Sequence, residues 1–107
     1  MKSGRVLCLI GSLMLCLMPF AAQAASFNCN RADRPDEILI CQNGQLSALD
    51  ERLSSLYFRL RNSLGGSERR RLESDQARWL RQRFDCGRDF ACIRDLYRDR
   101  ITELGNY

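Results

Sequence analysis

The sequence predicts an all-α fold, a small bundle of about four helices stapled by disulfides. Three observations predict it. Past residue 25 the apolar residues recur every three or four positions, and no alternating run rich in Val, Ile and Thr offers a strand. Asn-Gly and Gly punctuate that pattern at 43–44, 65–66 and 87, dividing it into four segments. Cys29, Cys41, Cys86 and Cys92 lie within the same region, downstream of an export signal.

The signal has three parts in order. Lys2 and Arg5 form a basic start, Val6 to Met18 is apolar apart from Gly11 and Ser12, and Pro19 leads into Ala21-Ala22-Gln23-Ala24-Ala25. Ala22 and Ala24 are small enough for a signal peptidase at the third and first positions before the cut. A membrane anchor takes ~20 apolar residues, more than this run supplies. A lipoprotein cut is disfavoured because Leu13-Met14-Leu15 precedes Cys16. The reading is a cleavable signal peptide over residues 1–24 and one helical domain over residues 25–107, which leaves 83 of the 107 residues. No stable membrane insertion is expected after cleavage. A domain this small buries only ~60–65% of its unfolded surface, so its core alone is marginal and staples are expected.

The helices follow in turn. Ser26 to Arg34 is an extended lead-in. Pro35 suits a first helical position, with Asp36 and Glu37 in the first turn, and the helix runs to about Gln42. Asn43-Gly44 stops it, with Gly44 read as a left-handed cap. Ser47 with Asp50 reads as a capping box opening the second helix. Its stripe is Leu46, Leu49, Leu53, Leu56, Tyr57, Leu60 and Leu64. Gly65-Gly66 ends it, and Ser67 is placed to cap a third helix. That helix carries Leu72, Gln76, Trp79, Leu80 and Phe84 along one side and runs to about Cys86, where Gly87 stops it. Asp89 caps a fourth, with Phe90, Ile93, Leu96, Tyr97, Ile101 and Leu104 inward. Tight turns make neighbours antiparallel, so the second and third helices form a hairpin.

Cys8 and Cys16 leave with the signal, and the four remaining cysteines form a pairable set. Zinc is the competing reading, but no C-x₂-C pair and no histidine exist. Loop entropy does not choose among the three connectivities. The six-residue step Cys86 to Cys92 gives ~2–2.5 kcal/mol, and crossed loops would give ~4. The hairpin brings all four to one end, which leaves crossed pairing open. Cys86–Cys92 is preferred because it bridges a tight helix corner, and Cys29–Cys41 because it pins the lead-in to the first helix.

Removing Lys2 and Arg5 lowers the formal net charge from +4 to +2 and removes the only lysine. Arginines and acids alternate closely, as in Arg98-Asp99-Arg100, which describes a solvated face with weak ion pairs. Arg69-Arg70-Arg71 is flanked by Glu68 and Glu73, so no nucleic-acid partner is expected.

Together these blocks resemble the N-terminal domain of the LprI-type lysozyme inhibitors. Cys29 and Cys41 with Pro35 and Glu37 between them look like its opening. Leu46-Ser47-Ala48-Leu49-Asp50, followed by Leu53 and Tyr57, is similar to its LSxLD segment. Gln76-Ala77-Arg78-Trp79-Leu80, then Arg83, Cys86 and Cys92, resembles its Q-x-x-W-L stretch and closing cysteines, and Tyr97, Arg100 and Ile101 fit its terminal helix. The resemblance spans about residues 27–104. The chain departs from the pattern at Asp33-Arg34, where Ser or Thr is the more usual cap before Pro35. The resemblance implies a protein partner, lysozyme or another envelope protein.

No enzyme is expected. There is no histidine base, oxidised cysteines supply no thiolate, and no glycine-rich phosphate loop is present. Glycoside hydrolysis needs two carboxylates facing across a cleft, and Asp85 and Asp89 read as surface acids. No metal or cofactor is expected. Asp50, Gln76, Trp79 and Arg83 are the candidate partner-binding residues. The plainer reading makes Trp79 the core anchor, Gln76 a hydrogen-bonding bridge between helices and Asp50 a helix cap. The functional reading sets them at a partner surface, where Trp and Arg are frequent energetic centres.

Two functions from different classes follow. One is an exported binding protein that inhibits lysozyme or a related cell-wall-cleaving enzyme. The other is an interaction module of the envelope with no inhibitory activity. A periplasmic or secreted location serves either, and the oligomeric state is left open. Net charge weighs against the inhibitor, because a basic lysozyme would be steered towards an acidic partner.

Overall fold

The computed structural model describes residues 26–107. The signal peptide expected over residues 1–24, with its cleavage point, lies outside the described residues. A single 3₁₀ turn, Cys29–Arg31, precedes four helices: α1 Pro35–Gln42, α2 Gly44–Ser63, α3 Gly66–Asp85 and α4 Phe90–Gly105. The all-α class is as the sequence predicts, and both preferred disulfides are present, Cys29–Cys41 and Cys86–Cys92.

Helix α1 opens on Pro35, after Arg34 in extended backbone, with no side-chain cap. Pro35 has no N–H that would need an acceptor and its fixed φ suits the first turn, so the helix starts without a Ser or Thr cap. The α1–α2 corner differs from expectation. Gly44 is not a left-handed cap; the only positive-φ residues among those described are Gly66 and Gly87. Asn43 is the sole residue between the two helices, and its Oδ1 accepts from Leu46 N at 3.0 Å. Asn is as good an N-cap as Asp or Ser, so α2 starts three residues before Ser47. The capping box at Ser47 and Asp50 does not form. Ser47 Oγ instead donates to Ile40 O at 2.6 Å, tying α1 to α2.

The α2–α3 turn also differs from expectation. Ser67 does not cap α3; the cap position is Gly65, with no side-chain bond. Gly66 sits at φ 57°, a conformation glycine adopts without strain. Arg69 Nε donates to Leu64 O at 3.0 Å, satisfying a carbonyl at the end of α2. Gly87, at φ 61°, stops α3 as expected. Asp89 caps α4, accepting from Cys92 N at 3.1 Å.

Ile40, Leu46, Leu53, Leu72, Trp79, Ile93, Tyr97 and Leu104 form the buried core, drawing on all four helices. The α2 and α4 stripes point inward as read from the sequence. The α3 stripe is rotated. Its buried residues are Leu72, Trp79 and Arg83, while Leu80 and Phe84 are 40% and 45% exposed. The inward positions step by seven and then four, so an arginine takes the place the sequence reading gave to apolar side chains.

Helices α2 and α3 run antiparallel: Asp50 lies beside Arg83, and Arg61 beside Glu73. They touch each other sparsely, however. Helix α2 packs most extensively on α4, and α3 packs on α4 as well. Trp79 joins α3 to α4 twice, by Nε1 donating to Leu96 O at 3.1 Å and by an edge-on contact with the Tyr97 ring. The hairpin is thus spread open over α4, and a groove runs between its arms.

Candidate partner-binding groove between α2 and α3

A buried polar cluster underlies one end of the groove. Arg83, carried inward by the rotated α3 stripe, donates from Nε to Asp36 Oδ2 at 2.7 Å and from Nη1 to Tyr97 Oη at 3.1 Å. The Tyr97 hydroxyl donates in turn to Asp50 Oδ1 at 2.7 Å. Asp50 also lies 3.8 Å from Arg83 Nη1. One guanidinium therefore links α1, α2 and α4 to α3. Ser26 N donates to Asp50 Oδ2 at 2.6 Å, which fastens the lead-in to α2. The Phe27 ring lies 5.6 Å and the Trp79 ring 5.9 Å from the Arg83 guanidinium carbon.

Burial and the cluster's own contacts shift Tyr97 and Arg83. Burial pushes the Tyr97 hydroxyl far above the usual phenol range, outweighing the opposing pull of Arg83. Burial works to lower the Arg83 pKa, but Tyr97 and Asp36 outweigh it and the net shift is upward. Asp36 is fully buried, with Oδ1 unpartnered. Both aspartates are engaged, Asp36 by Arg83 and Asp50 by Tyr97. The cluster ties the four helices together beneath the groove.

Above this cluster the groove encloses 650 Å³. Asp50, Gln76, Trp79 and Arg83, the four residues singled out in the sequence, all line it. Asp50 and Arg83 are buried at its base and Trp79 contributes to its wall. Gln76 accepts from Arg100 Nε at 3.1 Å, the interhelical bridge anticipated for it. Asp50 is not the helix cap anticipated for it; its carboxylate is taken up by Tyr97 and Ser26.

The exposed apolar residues of the groove were missed in the sequence. Phe58 on α2 is 53% exposed and Leu80 on α3 40% exposed, and both line the groove. Tyr57 packs edge-on against Phe58 at 5.1 Å. One signal was available: Phe58 falls outside the α2 apolar stripe, and a large aromatic off the stripe has no core to fill. Nothing in the sequence marked Phe27 or Glu37 as groove residues. Their placement depends on the Cys29–Cys41 bridge and on the Asp36–Arg83 pair.

Among the described residues no group of three or more His, Cys, Asp or Glu is arranged to hold a metal ion. No helix among them is long and apolar enough to cross a membrane.

Comparison with known proteins adds the family. Residues 28–104 match the family model described as "Lysozyme inhibitor LprI". The chain is 30% identical over 89 residues to "Lipoprotein LprI" of Mycobacterium bovis and to the proteins of the same name from two Mycobacterium tuberculosis strains. The aligned stretch takes in 80% of this chain but 43% of each relative, so the chain spans less than half the length of the curated relatives it matches. No solved structure matches. Two disulfides, together with relatives named as lipoproteins, fit an extracytoplasmic protein. With the four-cysteine frame, the LSxLD and Q-x-x-W-L blocks and a family model matched across the helical domain, the chain belongs to the lysozyme inhibitor LprI family.

Proposed function

We propose that this protein is exported to the periplasm or beyond, and inhibits a lysozyme or related cell-wall-cleaving enzyme through the groove between α2 and α3. It acts by binding and performs no chemistry of its own. The observation that carries the reading is the groove itself. Exposed Phe58 and Leu80 border a hollow whose base is fixed by the Arg83 cluster. Exposed aromatic and aliphatic side chains on a rigid base are the anchors on which tight interfaces depend. Membership of the family supplies the enzyme class.

The test is cell-wall lysis by lysozymes of several types, with and without the purified oxidised protein. Slowed lysis that is relieved by Phe58→Ala or Leu80→Ala supports the reading. Unchanged lysis at large molar excess over every lysozyme type rejects it.

A second reading, an envelope interaction module without inhibitory activity, is favoured by one observation. Arg70, Arg81 and Arg88 are exposed, and arginine-rich surfaces suit anionic wall polymers or lipid head groups. Salt-sensitive retention of the protein on envelope material, with no effect on lysis, selects this reading.

A further inference from the structure

The charged groups around the α2–α3 groove are unevenly paired. Two arginines line it, and both are already engaged. Arg61 Nε donates to Glu73 at 2.7 Å, and Arg83 Nε donates to Asp36 at 2.7 Å. Two further carboxylates line the same hollow. Asp50 is 3.8 Å from Arg83 Nη1, and Glu37 is 3.8 Å from Arg83 Nη2. Of these carboxylates, Glu37 and Asp50 line the hollow itself, while Glu73 and Asp36 lie behind it, as does Arg100, which donates to Gln76 at 3.1 Å and pairs with Glu103. Asp50 is satisfied by Tyr97 and Ser26. Glu37 has only the long approach to Arg83, and its side chain keeps 23% of its exposure. The fully buried Asp36 adds an unpartnered oxygen behind it. Aromatic rings line the same hollow: Phe27 beside Arg83, and Tyr57 and Phe58 further along α2.

A carboxylate lacking a close partner, in a hollow lined by aromatic rings, recognises a cation with an apolar stem. We propose that the groove takes an arginine side chain projecting from a basic protein partner. Glu37 serves as its counter-ion, and the rings of Phe27, Tyr57 and Phe58 pack on its stem and guanidinium plane. Arginine fits better than lysine because its guanidinium is planar, weakly hydrated and stacks on rings. The proposal deepens the inhibitor reading and rests on the groove being the partner surface. It also meets the objection raised by net charge. The chain as a whole is basic, yet the hollow that would meet a basic enzyme holds a carboxylate, Glu37, with no close partner.

The experiment titrates the ¹⁵N-labelled, oxidised protein with the peptide acetyl-Gly-Arg-Gly-amide and with its citrulline counterpart, which keeps the shape and loses the charge. The expected result is saturable amide shifts at Glu37, Ser54 and Phe58, with citrulline binding about tenfold weaker. Glu37→Gln should weaken the arginine peptide about fivefold. Phe58→Ala, at an exposed position, should weaken it about threefold with the amide spectrum otherwise kept.

Equal binding of the two peptides, shifts centred away from the groove, or no saturation at tens of millimolar peptide would overturn the proposal. So would a dimer of this chain dispersed by the arginine peptide, because the groove would then be meeting a second copy. The lysis assay separates the two claims. Inhibition that persists undiminished in Glu37→Gln sinks the arginine site and leaves the inhibitor reading standing. Arginine-selective binding without inhibition does the reverse.

Discussion

Arg83 offers the sharpest test of how this small domain is held together. Its guanidinium is buried against Asp36 at 2.7 Å and the Tyr97 hydroxyl at 3.1 Å, with Asp50 at 3.8 Å. Arg83→Met keeps the apolar stem and removes the charge. Asp36 and Asp50, 0% and 3% exposed, then lose their shared counter-ion. Stranding a buried charge in this way costs about 3–5 kcal/mol. About 80 ordered residues, at roughly 0.05–0.15 kcal/mol each, give a total stability near 4–12 kcal/mol. One substitution should therefore remove from about a quarter to all of it. Guanidinium chloride unfolding of the oxidised protein, followed by Trp79 fluorescence and by far-ultraviolet circular dichroism, measures the loss. The double variant Asp36→Leu with Arg83→Met tests the cause. If stranded charge dominates, it should be at least about 1 kcal/mol more stable than the two single losses predict. A loss below about 1 kcal/mol for Arg83→Met, the value of an exposed ion pair, would refute the reasoning. Strict additivity in the double variant would refute it equally.

Three further predictions concern the staples, the pH range and the groove. Replacing Cys29 and Cys41 together by Ala should cost about 3 kcal/mol, and replacing Cys86 and Cys92 about 2.4 kcal/mol, from the loops they close; denaturant midpoints of the two variants give the order. The Tyr97 pKa is raised on folding, so the unfolded chain gives up this proton first. Stability should hold below about pH 10 and fall above it by up to about 1.4 kcal/mol per pH unit. Tyr97→Phe should remove most of that slope, and an unchanged slope in the variant would show that another group sets it. Phe58→Ala and Leu80→Ala should each change stability by less than about 0.5 kcal/mol while weakening inhibition, since both side chains are exposed. A large loss of stability would make them packing residues.

Much of the fold was legible because it depends on local signals. Pro35 at a helix start, Gly87 as a stop and Asp89 as a cap each act through their own backbone or the next few residues, and each is found as read. The errors fall where local signals compete. Asn43-Gly44 reads equally as the end of one helix and the start of the next, and Asn43 settles it by capping α2. The α3 stripe was misjudged because Leu80 and Phe84 are apolar and Arg83 is not. Only the carboxylates of α1 and α2 make a buried arginine tolerable, and those lie 47 and 33 positions away in sequence, at Asp36 and Asp50. The groove shares this non-local origin. Its four anticipated residues were found through motif blocks, whereas Glu37, Phe27 and Phe58 are assembled by the spreading of α2 from α3 over α4.

That spreading also determines how the proposed complex would form. Residues 26–107 carry 15 arginines and 13 acids, because Lys2 and Arg5 precede them. A nearly balanced surface exerts little pull beyond a Debye length, ~8 Å at physiological salt. Glu37 lies in a hollow lined by aromatic rings, so it acts only once a partner has arrived. Association with a basic lysozyme should then run near the unsteered rate of ~10⁵–10⁶ M⁻¹s⁻¹ and change by less than about threefold between about 0.05 and 0.5 M salt. The affinity would reside in slow release, and Glu37→Gln should raise the dissociation rate while leaving association nearly untouched. Surface plasmon resonance at several salt concentrations separates the two rates. An association rate that drops tenfold or more with salt would mean that long-range charge brings the partners together, and the recognising surface would then have to be one of the strongly charged outer faces.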